Sequence, residues 1–240
     1  MNKLSNKVLL VVVAKAPVPG KVKTRFLPEL TLEEAANLYQ CFIHDRIKEI
    51  STLDGIDKAI AFTPYNARET FASFTPNGFK LFAQKGKDLG ERLNNIFLEN
   101  LTCGYDAVSI IDSDSPDLTK SIVQESFRIL LSNRADVVFG PCHDGDYYLV
   151  GMRKPHPELF KGIPWSTETV LRATLEKAEK IDIETELLSS WNDLDTFEDL
   201  LAFFEKYKDQ KFRKNWAGEK TLSFLSHLEK IRQYFADLPR

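Results

Sequence analysis

Seven consecutive apolar residues, Val8 to Ala14, empty directly into a loop that holds two prolines, a glycine, three lysines and an arginine. An apolar run of this length bounded by breakers predicts a strand buried on both faces, as in a parallel sheet. Ligands of open α/β sheets bind just beyond the carboxyl ends of such strands. Four cations at that place, Lys15, Lys21, Lys23 and Arg25, repel one another unless an anion sits among them. Lysine offers phosphate a point charge and arginine a planar fork. The pattern points to a phosphate site rather than to a solvated basic turn.

The rest of the chain alternates strand-like and helix-like segments. Thr31-Leu32-Glu33-Glu34 has capping-box spacing and opens an amphipathic helix to about Ile50. Strands are expected at 58–63, 79–83, 107–111 and 135–139, and Tyr147 begins a hairpin or edge strand. Asp88 caps a helix through Leu93, Ile96 and Phe97, and further helices are expected near 122–131, 168–177 and 196–207, with a last strand near 181–185. Such alternation predicts an α/β domain with a mostly parallel sheet and helices on both faces. We assign 1–206 to this domain and 207–240 to a C-terminal helical segment, whose final helix spans Leu222 to Phe235. That segment reads as an appendage packed on the domain or as a homodimer contact, alternatives that the sequence leaves open.

A net charge of −3 over 240 residues excludes a general nucleic-acid binder, because no excess of Lys and Arg exists to neutralise a phosphate backbone. The basic loop is therefore aimed at something small. Cys41, Cys103 and Cys142 lack metal-ligand spacing and are odd in number, which argues against disulfides and zinc and for a reducing, cytoplasmic setting. The Val8–Ala14 run is too short to span or insert in a membrane.

Three carboxylates, Asp112, Asp114 and Asp117, crowd the end of the 107–111 strand. Clustered carboxylates repel unless a cation neutralises them, and Mg²⁺ or Mn²⁺ prefers such oxygen ligands. Asp114 is our candidate metal ligand, while at least one of the three serves an Asx-turn or helix cap. Asp195-Thr196 can cap the following helix and still offer an oxygen to a metal. Around Gly86 and Gly90 the chain reads strand, loop, helix, with free N–H groups at a helix start and Gln84 able to read a base edge through its amide. Asp144-Gly145 is a turn after a buried strand, and Trp165-Ser166-Thr167 opens a helix, with core packing the commoner use of such a tryptophan. No P-loop, dinucleotide fingerprint or serine-hydrolase elbow is present.

The runs Ala14 to Arg25, Asp114-Ser115-Pro116-Asp117-Leu118, Asp144-Gly145 with Tyr147-Tyr148-Leu149, Trp165-Ser166-Thr167 and Asp195 to Leu200 occur in that order. Together they resemble an uncharacterised bacterial family of GT-A-like proteins described as nucleotide-diphospho-sugar transferases or glycosyltransferases. The resemblance covers Val8 to Leu201 and implies a three-layer α/β/α GT-A-like fold. The Lys15 and Lys23-Thr24-Arg25 pattern is also similar to the phosphate loop of phospholactate guanylyltransferases, which are related to molybdenum-cofactor guanylyltransferases. That likeness implies a nucleotidyltransferase joining a nucleoside triphosphate to a small phosphorylated acceptor with release of pyrophosphate. Lys15, Lys23 and Arg25 would neutralise the triphosphate, and Asp114 and Asp195 match the metal-holding positions. Ala14, Gly20, Lys21, Thr24, Gln84, Gly86 and Gly90 would complete the nucleotide site. Asp144, Gly145, Trp165, Ser166 and Thr167 would face the acceptor. The chain departs from the family at His143, Asp146 and Asp112, which border the acceptor side.

Two other readings stand beside this one. A glycosyltransferase would use a finished nucleotide sugar and need fewer cations, and a regulator would bind nucleotide without turnover. With Asp114 as the metal ligand, Asp114→Ala is expected to abolish metal-dependent nucleotide binding at nearly unchanged melting temperature.

Overall fold

The computed structural model describes residues 6–213 and 216–237, so the outer ends of both predicted domain ranges lie outside them. The chain divides into two compact units. The first comprises Met1–Ala14, Leu53–Asp112 and Lys120–Asn192. It is built on one seven-stranded sheet of β1 (Val8–Lys15), β2 (Asp57–Thr63), β3 (Phe79–Ala83), β4 (Ala107–Ile111), β5 (Val137–Pro141), β6 (Tyr147–Met152) and β7 (Thr185–Leu187), in the order β3-β2-β1-β4-β6-β5-β7. The β1–β4, β2–β3 and β5–β7 pairs are parallel, and β6 runs antiparallel to both of its neighbours.

Helices cover both faces of this sheet. Leu9, Val11, Ala59, Ala61, Val108, Ile110, Val137 and Phe139 point to one face, where they pack against Leu93, Ile96 and Phe97 of α3 (Leu89–Thr102) and Ala178 of α5 (Val170–Lys180). On the other face Phe62 stacks on Phe71 of α2 (Arg68–Ala72). There too the Ser109 hydroxyl lies 3.1 Å from that of Ser126 on α4 (Lys120–Leu131). With apolar partners on both sides, β1 needs no polar alternation, which is why its sequence is an unbroken apolar run.

The second unit comprises Lys15–Thr52, Ser113–Thr119 and Asp193–Arg240. Its longest element is α1 (Leu32–Ser51), and the capping box forms as the sequence implies: Glu34 N–H donates to Thr31 Oγ1 at 3.1 Å and Thr31 N–H to Glu34 Oε2 at 2.8 Å. Thr31→Ala should cost about 1 kcal/mol, lowering the melting temperature by about 2–4 °C in thermal unfolding. The buried Asp45 of α1 caps a second helix, accepting the backbone N–H groups of Lys220 (2.9 Å) and Thr221 (2.8 Å) at the start of α7 (Glu219–His227). Those N–H groups have no partner within their own helix, so the carboxylate satisfies two orphan donors and meets the positive end of the helix dipole.

Several element boundaries differ from the sequence reading. β6 is paired on both sides and so is a hairpin arm rather than an edge. Its Tyr148 to Met152 stretch is fully buried, a pattern that periodicity cannot place within a sheet. β5 and β7 begin two and four residues later than expected. The final helix is two, α7 and α8 (Glu229–Ala236), because Leu228 takes an extended conformation (φ −69°, ψ 123°) between them. The short α2 has no counterpart in the sequence reading.

Candidate functional site

β1 and β4 are parallel neighbours, with Val12 opposite Ile111, so both strands end at the same edge of the sheet. Beyond these ends the chain contributes segments 15–52 and 113–119 to the second unit. The hydroxyl of Tyr39 on α1 ties the two segments together. It accepts the Lys15 backbone N–H at 3.1 Å and lies 2.7 Å from Ser113 Oγ. Burial, followed by the nearby Asp114 carboxylate, raises the Tyr39 pKa and keeps the phenol protonated.

Within this unit Lys23, Arg25, Asp114 and Asp195 converge. Lys23 Nζ lies 2.7 Å from Asp114 Oδ1 and 2.7 Å from Asp195 Oδ1, and it donates to the Leu194 carbonyl at 2.7 Å. All three ammonium protons are thus used. Arg25 Nη1 meets the other Asp195 oxygen at 2.8 Å. The Lys23 side chain is only 6% exposed, against 63% for Arg25. The rings of Phe26 and Phe42 stand 5.7 Å and 5.6 Å from the ammonium and complete its enclosure. Burial alone would lower the Lys23 pKa, but Asp114 and Asp195 outweigh it and raise the pKa above the ordinary lysine value. Burial likewise works to raise the Asp195 pKa, and Lys23 and Arg25 reverse that, so the carboxyl group is held below its usual range.

Backbone geometry fixes the cluster. Lys23 adopts φ 49° and ψ 41°, a left-handed conformation that is uncommon for a residue with a side chain. Three bonds to its ammonium group hold it there. Leu194 N–H donates to the Asp114 carbonyl at 3.0 Å, joining the two carboxylate segments through their backbones. Thr196 caps α6 (Phe197–Lys208) in a capping box with Asp199, so Asp195 is not needed as the cap and turns to the cations. Asp117 accepts the Tyr207 hydroxyl at 2.7 Å from α6 and is the structural member of its acidic run. Lys15, Gly20, Lys21 and Thr24 are exposed, while Ala14 is buried at the end of β1.

The carboxylate pair offers the donor type that a hard divalent cation prefers. Two oxygens from separate aspartates face one point, and oxygen donors are what Mg²⁺ and Mn²⁺ favour. That point is the position of the Lys23 ammonium.

The remaining candidates lie in the first unit. Gln84 Nε2 donates to the Ala61 carbonyl at 2.7 Å, which fixes its amide against β2. Gly86 and Gly90 are required by the protein's own packing. A Cβ on Gly86 would lie 2.7 Å from Arg92 N, and one on Gly90 2.5 Å from Phe160 O and 3.0 Å from Trp165 Nε1. Asp88 accepts Glu91 N–H at 2.8 Å and so occupies the N-terminus of α3. Two of the predicted acceptor residues pack against neighbouring segments: Leu171 N–H donates to Gly145 O at 2.9 Å, and the Tyr147 and Trp165 rings meet edge to face at 6.3 Å. Asp144 closes an Asx-turn onto Asp146 N–H at 3.1 Å. Thr167 donates to Pro164 O at 2.7 Å, and the exposed Ser166 has φ 65°.

Sequence reasoning missed Tyr39, Ser113, Phe26, Phe42 and the Leu194 carbonyl as parts of the cluster. The one usable signal was a tyrosine on the buried face of a helix, whose hydroxyl must find a partner.

No curated protein matches the chain. A crystal structure of a protein from Desulfovibrio desulfuricans G20, provisionally named a nucleotide-diphospho-sugar transferase, is 33% identical, with a TM-score of 0.86 over 95% of this chain and 98% of that one. The chain therefore has the α/β fold of that group. CMP:2-keto-3-deoxy-manno-octonic acid synthetase complexed with CTP shares the fold at 12% identity and a TM-score of 0.54, over 85% of this chain and 97% of its own. A cytidylyltransferase from Leptospira borgpetersenii serovar Hardjo-bovis does so at 13% identity and a TM-score of 0.54, over 98% and 99%. Among the described residues, no helix is long and apolar enough to cross a membrane. A bacterial family profile matches residues 46–167, a span that includes Asp114 and the 144–167 loops, and the chain belongs to that family, described as "Uncharacterized protein conserved in bacteria (DUF2064)".

Proposed function

We infer that this protein is a metal-dependent nucleotidyltransferase that joins a nucleoside triphosphate to a small phosphorylated acceptor and releases pyrophosphate. The observation that carries the reading is the convergence of Lys23, Arg25, Asp114 and Asp195 from three separate chain segments. The exposed Lys15, Lys21 and Arg25 supply the positive charge that a triphosphate and its pyrophosphate product require. The similarity in fold to a cytidylyltransferase and to a synthetase complexed with CTP supports the same class.

In this mechanism Asp114 and Asp195 would hold a divalent cation, which would neutralise phosphate charge. The chain's own contribution is positioning and electrostatics. Lys15, Lys21 and Arg25 orient the phosphate oxygens and stabilise the charge that develops as the acceptor attacks the α-phosphorus. Acceptor contacts are assigned to Asp144, Gly145 and Trp165 to Thr167, where the strained Ser166 is exposed.

The test is to mix the protein and Mg²⁺ with each nucleoside triphosphate and with pools of phosphorylated metabolites. Pyrophosphate release with at least one combination is expected, and no release across all pools overturns the reading. Conversion of a nucleotide sugar to free nucleoside diphosphate, without pyrophosphate, would instead mark a glycosyltransferase.

A further inference from the structure

We propose that Lys23 is an internal cation that occupies the Asp114–Asp195 metal position, and that a divalent ion enters only by displacing it. The inference rests on the transferase reading and adds a step to it. Lys23 Nζ sits 2.7 Å from one oxygen of each carboxylate, so the ammonium and a metal ion bridging the same oxygens exclude one another. A lysine recruited only for phosphate would extend into solvent, as the exposed Lys15 and Lys21 do. This one is 6% exposed, has all three protons directed at protein oxygens and is held on a left-handed backbone.

Charge counting gives the exchange a purpose. Two carboxylates, one ammonium and one guanidinium form a neutral resting cluster with little attraction for an anion. Entry of a divalent ion with release of the ammonium leaves a site of charge +1, or +2 with the displaced ammonium counted beside it. The displaced Lys23, still anchored at the loop, then adds its protons to the phosphates drawn there. Metal and nucleotide therefore bind cooperatively, and the empty protein retains metal weakly.

The probe is Mn²⁺ alone, without nucleotide, followed by the free-ion signal in electron paramagnetic resonance. Lys23→Met should bind Mn²⁺ at least tenfold more tightly than the wild type, while Lys23→Arg, which keeps a cation in place, should not. Equal affinity in the wild type and Lys23→Met overturns the proposal. A measurement on the wild type covers the case in which Lys23→Met fails to fold. With ¹⁵N-labelled lysine, the protected ammonium resonance of Lys23 should be lost as Mg²⁺ is added. A resonance that persists to tens of millimolar Mg²⁺ overturns the exchange. Neither readout depends on turnover, so missing pyrophosphate release beside a normal Mn²⁺ response would sink the nucleotidyl-transfer reading alone.

Discussion

Asp114→Ala is expected to lower the melting temperature by about 4–8 °C and, on the nucleotidyltransferase reading, to abolish cation-dependent nucleotide binding. The sequence alone implied the second effect without the first, because a carboxylate reserved for a metal is dispensable to folding. In the structure Asp114 is one of two carboxylates around an enclosed ammonium. Its loss leaves Lys23 buried against Asp195 and the Leu194 carbonyl with one proton unpaired. Removing one partner of a fully buried ion pair costs about 3–5 kcal/mol. The Asp114 side chain is 36% exposed, so water can replace part of the contact, and about 2 kcal/mol is the appropriate figure here. For a chain of this size each kcal/mol moves the midpoint by about 2–4 °C. Thermal unfolding and nucleotide titration calorimetry, with and without Mg²⁺, check the two halves. An unchanged midpoint would mean that Lys23 does not pair with Asp114 in solution.

Gly145→Ala should be the more damaging substitution, costing about 3 kcal/mol or more and displacing the 144–167 loops. A Cβ at this position would lie 2.0 Å from the Glu168 carbonyl oxygen, and φ is +92°. Backbone must move on one side or the other, which breaks the Leu171 N–H bond to the Gly145 carbonyl. Gly104 provides the control. Its φ of +89° is nearly the same, but nothing stands within 4 Å of its virtual Cβ. Gly104→Ala therefore reports the left-handed backbone alone, at about 1 kcal/mol. Comparing the two unfolding midpoints isolates the overlap with Glu168. Equal losses would show that the turn does not pack against 168 as the structure has it.

Local chemistry was the legible part of this chain. The Thr31/Glu34 box, the Asp88 cap and the unbroken β1 run each announce themselves within a few residues, because the forces that form them act within one turn or one strand. The conjunction of Lys23 with Asp114 and Asp195 could be nominated from a shared sheet edge and a family resemblance. The direction of the Lys23 side chain could not, because it follows from a left-handed φ and an aromatic enclosure set by tertiary packing. Gln84 shows the same limit: an amide well suited to reading a base instead hydrogen-bonds the neighbouring strand's carbonyl. The split between α7 and α8 at Leu228 was hidden for another reason. Its extended backbone is not signalled by any proline or glycine.

The three-segment origin of the ion cluster bears on biosynthesis. Lys23 and Asp195 are 172 residues apart in the chain. A ribosome that has released the whole of β1 through β7 has still not delivered Asp195. Until it does, a nascent chain can offer Lys23 only one of its two carboxylate partners, Asp114. Because synthesis proceeds at about 5–20 residues per second, this interval lasts on the order of ten seconds. The ion cluster therefore closes only after every strand of the sheet has been made.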